Sequence, residues 1–599
     1  MDPIELELLW NRLASIANEQ AAALIRASFS TLLRETEDIS CGIFDVRGSM
    51  VVQSSIGTPG HINTMATCVR HFLRKYPPGR LDPGDVLITN DPWLVSGHKH
   101  DITIVTPFFR DGRLAGLTAN TCHCADIGGR VYSADASEVY EEGVLIPILK
   151  LYRRGEPNED LFTLLAENVR VPDEVLGDVR AQVTANEVAN EKVVSFMRER
   201  GLDSLEALSD AIIGMTEAAT RRAVAAVPSG EYRHEVHMDG FEDPLVIRLT
   251  LRVEGDDLTA DYTGTSPQAP RGINSVMNYT AAYTTYALKC VLCPEIPNNE
   301  GAIRPLRVVA PEGCLVNARH PAPVSARVLS GHFLPFAVLG ALAKAVPDRV
   351  TAGGSLRSCT QFDGRRDNGE RFISTFWNAG GMGARPGKDG LSTTTFPNNL
   401  SNTPIEVIEM LTPVRFLEKE FLRDSAGPGA HRGGLGQVIR MKVVGRNTLR
   451  LSAMFEMTRF APQGTHGGMP GPLFGISLEG HGPIPPKGTT SLPPGSVLRL
   501  EVPGGGGHGP PDRRDPARVL DDVRKGFVSI EAARRDYRVA IGPESLRVDP
   551  EATDRLRKRL GHGSDETPEG RPAVRPDLSG PATAPVPGCS AAPPWTGES

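Results

Sequence analysis

The sequence predicts an α+β protein: a multi-layer mixed α/β body, a β-rich, Gly/Pro-rich C-terminal part and a disordered tail. Three observations carry this. Apolar residues at helical spacing open the chain, and short β-rich runs split by Gly, Pro and Asp turns follow them. The 62 Gly and 49 Pro in 599 residues favour many strands joined by tight loops, with few long helices. Such a length has room for two to four domains. Divisions are expected at residues 1–230, 231–350 and 351–540, then a tail from 541 that is disordered from about 563.

Hydrophobic residues make up 40% of the chain and charged residues 23%, an ordinary globular balance. A net charge of −7 leaves no electrostatic footprint for nucleic acid or an anionic membrane. Nine cysteines, irregularly spaced and odd in number, suit a reducing cytosol better than a disulfide scaffold. The acidic start Met1-Asp2-Pro3-Ile4-Glu5 precedes no apolar h-region, so no signal peptide is expected. The best apolar run, Phe333 to Val346, contains Lys344 and is shorter than the roughly 20 residues of a membrane span. A cytoplasmic protein is expected.

At the N-terminus, Asp2 can cap a helix, Pro3 suits its first position and Glu5 completes a capping box. Leu9, Leu13, Ile16, Ala17, Leu24 and Ile25 then form one apolar face. Strands are expected at Cys41–Phe44, Met50–Gln53, Val86–Thr89, Ile102–Phe109 and Leu114–Thr121. Helices follow near Glu159–Asn168, Val175–Glu199 and Leu205–Val227, the last ended by Pro228-Ser229-Gly230. A β meander is read over His234–Met238, Leu245–Val253 and Leu258–Tyr262. Tyr279–Leu292 and Leu334–Ala345 read as buried helices around the strand-like Leu306–Ala310. Gly353 to Pro510 reads as an irregular β region, and Asp515–Tyr537 returns to a helical pattern.

The most informative stretch is Asn90-Asp91-Pro92-Trp93-Leu94-Val95-Ser96-Gly97-His98-Lys99-His100-Asp101, followed across a hairpin by Cys122-His123-Cys124-Ala125-Asp126. Asp111-Gly112 between β-rich runs is a strong hairpin signal. If it forms the loop, Arg110 pairs with Arg113, and counting outward sets Asp101 opposite Cys122 and His100 opposite His123. Two imidazoles and a carboxylate satisfy a divalent cation and leave positions open for water or a substrate oxygen. His98, His100, Asp101, His123 and Asp126 are all in reach, and periodicity does not choose between His98 and His100.

Cys122, Cys124 and the pair Cys290/Cys293 read as small buried hydrophobes. Pro503-Gly504-Gly505-Gly506-Gly507 lacks the Gly-Lys-Ser/Thr ending of a P-loop. Gly380–Gly387 reads as a tight turn. The chain therefore shows no ATP site of its own.

Asn90 through Ile102, His123 through Gly129, Gly380–Pro386, Asn402-Thr403-Pro404-Ile405-Glu406, Arg432-Gly433-Gly434-Leu435-Gly436 and Pro503–Gly507 occur in this order. Together they resemble the hydantoinase B/oxoprolinase family, from about Leu9 to about Ala540. The resemblance implies a hydantoinase A-type partner subunit that binds ATP and phosphorylates the substrate carbonyl oxygen. It also implies that the chain itself holds a divalent metal ion (Zn, Mn or similar) and completes ring opening of a hydantoin, 5-oxoproline or lactam. The family's His-x-x-Asp plus histidine falls on His98, Asp101 and His123. Asp126 or Glu35 would then be a proton acceptor or a partner of the ligands, and His61 a further pocket residue. Two other readings stand beside this one: a subunit of an ATP-dependent ketone carboxylase, and a non-catalytic scaffold for the ATPase. Cys124, His100 and Val95-Ser96 depart from the residues common in the family, which bears on the substrate more than on the metal.

Overall fold

The computed structural model describes residues 2–558 except 357 and 395. The expected disordered tail lies outside the described residues. Among the described residues, no helix is long and apolar enough to cross a membrane.

The N-terminal body is built on a seven-stranded sheet. In chain order its strands are β1 (Ile39–Phe44), β2 (Met50–Gly57), β3 (Val86–Thr89), β4 (Asp101–Arg110), β5 (Arg113–His123), β6 (Leu149–Arg153) and β7 (Glu156–Pro157), in the spatial order β2-β1-β5-β4-β3-β6-β7. Its central strands are buried along nearly their whole length, so both faces are covered. Side chains alternate between those faces. Ile43 and Phe108 meet Leu9, Leu13, Val193 and Phe196 of the helices Pro3–Ala27 and Pro172–Glu199. Phe44, Val105 and Leu117 meet Met65, Val69 and Phe72 of the helix Pro59–Lys75. Buried amides tie Pro172–Glu199 to the β4–β5 hairpin: Gln182 Nε2 donates to the Ile102 carbonyl (2.9 Å), and Asn120 Nδ2 to Asn186 Oδ1 (2.8 Å).

Next comes a four-stranded sheet. Gly230–Met238, Leu245–Glu254 and Asp257–Asp261 form the expected meander, and Leu306–Val309 adds in parallel to Asp257–Asp261. The helix Leu334–Leu342 is almost wholly buried in the largest apolar cluster, which draws residues from Ala21 to Met457. Met277–Leu292 buries ten of its 16 residues, although Cys290, expected to be buried, is exposed. In the C-terminal part, a sheet containing Ser358–Arg365 and Leu449–Met454 and one containing Val414–Phe421 and Val497–Val502 share a second core.

Few long helices are present, as expected, of 25, 28 and 20 residues. Three other expectations are corrected. Asp2 stands at the N-cap, but its side chain makes no capping bond. Asp515–Tyr537 is two helices, Pro516–Arg524 and Ile530–Arg535, broken where Gly526 adopts φ 75°. Finally, the tight turn expected over Gly380–Gly387 forms only at its end, where Arg385 and Lys388 exchange backbone hydrogen bonds (3.0 and 3.1 Å) around Gly387 at φ 75°; Gly380–Gly383 is extended. It runs beside Gly433-Gly434 and Gly504–Gly507, backbone against backbone, with Gly434 N donating to the Met382 carbonyl (2.8 Å) and Gly505 N to the Gly434 carbonyl (2.9 Å). A Cβ at Gly381 would fall 2.0 Å from the Gly434 carbonyl oxygen. Glycine is what lets these strands touch.

Candidate metal centre

The hairpin expected from Asp111-Gly112 forms, with Arg110 opposite Arg113 and φ of 49° and 76° at the two loop residues, as a type I′ turn needs. Its register differs from the outward count by one residue. Phe108 pairs with Gly116 and Phe109 with Leu114, so Ala115 is bulged out. The bulge places Asp101 opposite His123 and Ile102 opposite Cys122, correcting the pairing of His100 with His123.

Asp101 is the hub. Its Oδ1 lies 2.7 Å from His98 Nε2 and 3.0 Å from His123 Nδ1. Its Oδ2 lies 2.9 Å from His61 Nε2 and 2.5 Å from Arg327 Nη2. His98, Asp101 and His123 are all buried, and each offers a ligand atom within 4.8 Å of the others.

These residues fit a cation. His98 Nδ1 sits 2.8 Å from the Ser325 carbonyl oxygen, which has no proton to give, so Nδ1 is the donor. Nε2 then carries a lone pair, faces a carboxylate oxygen and makes no hydrogen bond. Burial, with the Arg327 charge next, pushes the His98 imidazole down to about 3, so no proton resolves the clash near neutrality. Burial opposes ionisation of Asp101 too, but the Arg327 guanidinium and the hydrogen bond from His123 hold its carboxyl well below the usual range. Two imidazoles and a carboxylate converging on one buried spot are the donor set of a divalent ion.

His100 stacks on His123, with ring centroids 5.6 Å apart, and packs against Tyr132. Asp126 is engaged elsewhere: Gly128 N donates to Oδ1 (3.2 Å), as does Arg170 Nη1 (2.8 Å), and Arg170 N donates to Oδ2 (2.5 Å). Glu35 is half-buried at the end of the helix Thr31–Arg34, and among the described residues it makes no ion pair or side-chain hydrogen bond with the cluster. Its acidic neighbour Asp38 reaches the site instead. β1 pairs Ile39 with Cys122, so the Asp38 carbonyl accepts the His123 N–H (3.2 Å) and its carboxylate lies 3.7 Å from His61 Nδ1. Cys122 and Cys124 are buried, and burial raises both thiols well above their ordinary range.

Arg327 escaped the sequence reading. It donates from Nε to the Ser96 carbonyl and lies over the Tyr279 ring, 4.1 Å from its centroid. A Cβ at Gly97 (φ 92°) would come within 2.7 Å of its Cδ. The available signal was one arginine inside the otherwise uncharged run Pro321–Leu342, since a buried charge needs a partner.

A cavity of about 650 Å³ lies elsewhere, lined by His234, Phe333, Phe336, Lys344, Phe460 and His466 among others. Its walls gather no comparable set of metal donors, so size alone does not make it the reactive site.

The family model of hydantoinase B/oxoprolinase matches residues 2–511. The chain belongs to the hydantoinase B/oxoprolinase family. The caprolactamase subunit beta of Pseudomonas jessenii is 30% identical over 568 residues, covering 90% of this chain and 96% of that one. The crystal structure of ATP-dependent caprolactamase from Pseudomonas jessenii superimposes with a TM-score of 0.85 at 28% identity, covering 93% of this chain and 99% of that chain. An acetone carboxylase structure shares the fold at a TM-score of 0.84 and 19% identity, covering 94% and 84%. In this hydantoinase B/oxoprolinase chain the metal-type cluster lies within the matched residues, and the helix Pro516–Arg524 lies beyond them.

Proposed function

We propose that the chain is the metal-bearing hydrolytic subunit of an ATP-dependent cyclic-amide hydrolase, acting on a carbonyl-phosphorylated intermediate made by a hydantoinase A-type partner. The observation that carries this is the approach of His98 Nε2 and His123 Nδ1 to one oxygen of Asp101. His98, Asp101 and His123 would hold the ion. When bound, a divalent ion supplies Lewis acidity and a nucleophile at neutral pH.

The surrounding residues have separable tasks. Arg327 and His61 occupy the second oxygen of Asp101, leaving the first to face the two histidines. Ser325 fixes the His98 tautomer. Tyr132 and Trp377 pack around His123 and keep bulk water from the ring. Asp126 anchors the chain after His123 through Arg170. A relative named caprolactamase, with the family assignment, supports ring amides as the substrate class. The partner is inferred from a relative named as a beta subunit. A cytoplasmic location fits the eight free cysteines among the described residues.

Co-expression with a hydantoinase A-type ATPase tests the reading. ADP release coupled to ring opening is expected for a hydantoin, 5-oxoproline or a lactam, and is lost in His123→Ala. ATP turnover that requires bicarbonate and a ketone would instead make the chain a carboxylase subunit.

A further inference from the structure

Glu142 lies beside the centre without touching its ligands. The short turn Val139–Glu142 ends at Gly143, whose φ is 109° and whose added Cβ would fall 2.3 Å from the Ile127 carbonyl oxygen. A Cβ at Gly129 would meet the Glu141 carbonyl oxygen and Gly143 N, each at 2.5 Å. The segment after His123 is thus shaped to lie against residues 141–143. Arg130 N donates to the Glu141 carbonyl (2.8 Å) and Val144 N to the Ile127 carbonyl (2.8 Å).

That seat turns Glu142 inward, where it is 1% exposed. One oxygen, Oε1, accepts both the Val324 N–H (2.6 Å) and the Ser325 N–H (2.7 Å). From the same short segment, the Ser325 carbonyl accepts a hydrogen bond from His98 Nδ1–H and Arg327 donates to Asp101. Lys99, next to His98, closes the circuit by donating from Nζ to the Gly143 carbonyl (2.7 Å).

We propose that Glu142 is a positioning residue for the metal centre: by holding the amides of Val324 and Ser325 it fixes the carbonyl that sets the His98 tautomer, and so keeps Nε2 facing the ion. The inference rests on the metal-site reading above. Without the acceptor, two buried N–H groups lose their partner, and the segment must shift to find others. Groups that orient a ligand histidine typically govern metal affinity by about 10–100-fold.

The test uses the full chain and Zn²⁺ in competition with a chelator. Glu142→Ala should bind Zn²⁺ about 10–100-fold more weakly, and the metal-free protein should melt at a lower temperature, because two buried N–H groups lose their acceptor. Glu142→Gln keeps an oxygen that can accept both N–H groups and should restore the affinity. If Glu142→Ala binds as tightly as the parent, or Glu142→Gln binds as weakly as Glu142→Ala, the proposal is overturned. Histidine-selective ¹⁵N spectra of the metal-free parent give a check independent of any variant's folding. His98 should carry its proton on Nδ1, and a proton on Nε2 overturns the proposal. Absence of Zn²⁺ binding by the parent would sink the metal-site reading itself, a different outcome from parent-like binding by Glu142→Ala.

Discussion

Arg327 and Asp101 form a buried ion pair, Nη2 to Oδ2 at 2.5 Å, with side chains 3% and 0% exposed. Removing one member leaves an uncompensated buried charge, which typically costs about 3–5 kcal/mol. Arg327→Met should therefore destabilise the metal-free chain by about that amount in urea unfolding. Saturating divalent ion should recover part of the loss, because it supplies positive charge to the same carboxylate. An unchanged urea midpoint would show that the pair does not anchor the centre.

His61 touches Asp101 through Nε2 at 2.9 Å but is outside the group of three converging donors. His61→Ala should weaken metal binding by about 10–100-fold without abolishing it, whereas His98→Ala should abolish it. Isothermal titration with Zn²⁺ separates the two outcomes, and equal loss in both variants would make His61 a ligand.

Glu456 pairs with Lys487 at 2.8 Å, both buried. Burial outweighs the lysine and lifts the Glu456 carboxyl to about 7. A carboxyl raised on folding binds more protons in the native than in the unfolded state. Its stabilisation is fully present below the unfolded value and is lost as pH rises through about 7. Unfolding free energy should fall between pH 5 and pH 7 by up to about 1.4 kcal/mol per pH unit from this group. Glu456→Gln should remove that share of the slope. Identical slopes for parent and variant would contradict the assignment.

Glycines divide into two kinds. A Cβ at Gly381 would overlap backbone at 2.0 Å, so Gly381→Ala should cost on the order of 3 kcal/mol. Gly214, exposed in the helix Glu206–Ala225 with open space around it, should instead gain about 0.5–1 kcal/mol as alanine. Thermal melting should move in opposite directions for the two variants.

Local chemistry was the legible part of the sequence. Asp111-Gly112 gave the hairpin because its two left-handed residues are a local requirement, and strands such as Val86–Thr89 and helices such as Glu159–Asn168 fall where their patterns predict. The register was not legible. The Ala115 bulge sits beside Gly116, where a Cβ would strike the Phe108 ring at 2.4 Å and the Phe44 carbonyl at 2.8 Å, contacts set by tertiary packing. The helix Pro59–Lys75 was hidden by its start: His61, Asn63 and Thr64 are polar yet buried, because they face the site and the helix Met277–Leu292 rather than solvent. At the centre, the residue types His, Asp and His were readable from the hairpin, and the family resemblance chose His98 over His100. Asp38 and Glu142 were not readable, since each reaches the centre from another part of the chain, and Arg327 left only the signal of a lone charge in an apolar run.

Metal content of the purified chain and of His123→Ala tests the central claim most directly. One divalent ion per parent chain is expected, with anomalous scattering placing it between His98, Asp101 and His123, and the ion should be lost in the variant. Full occupancy in His123→Ala, or an ion bound away from these three residues, would contradict the account.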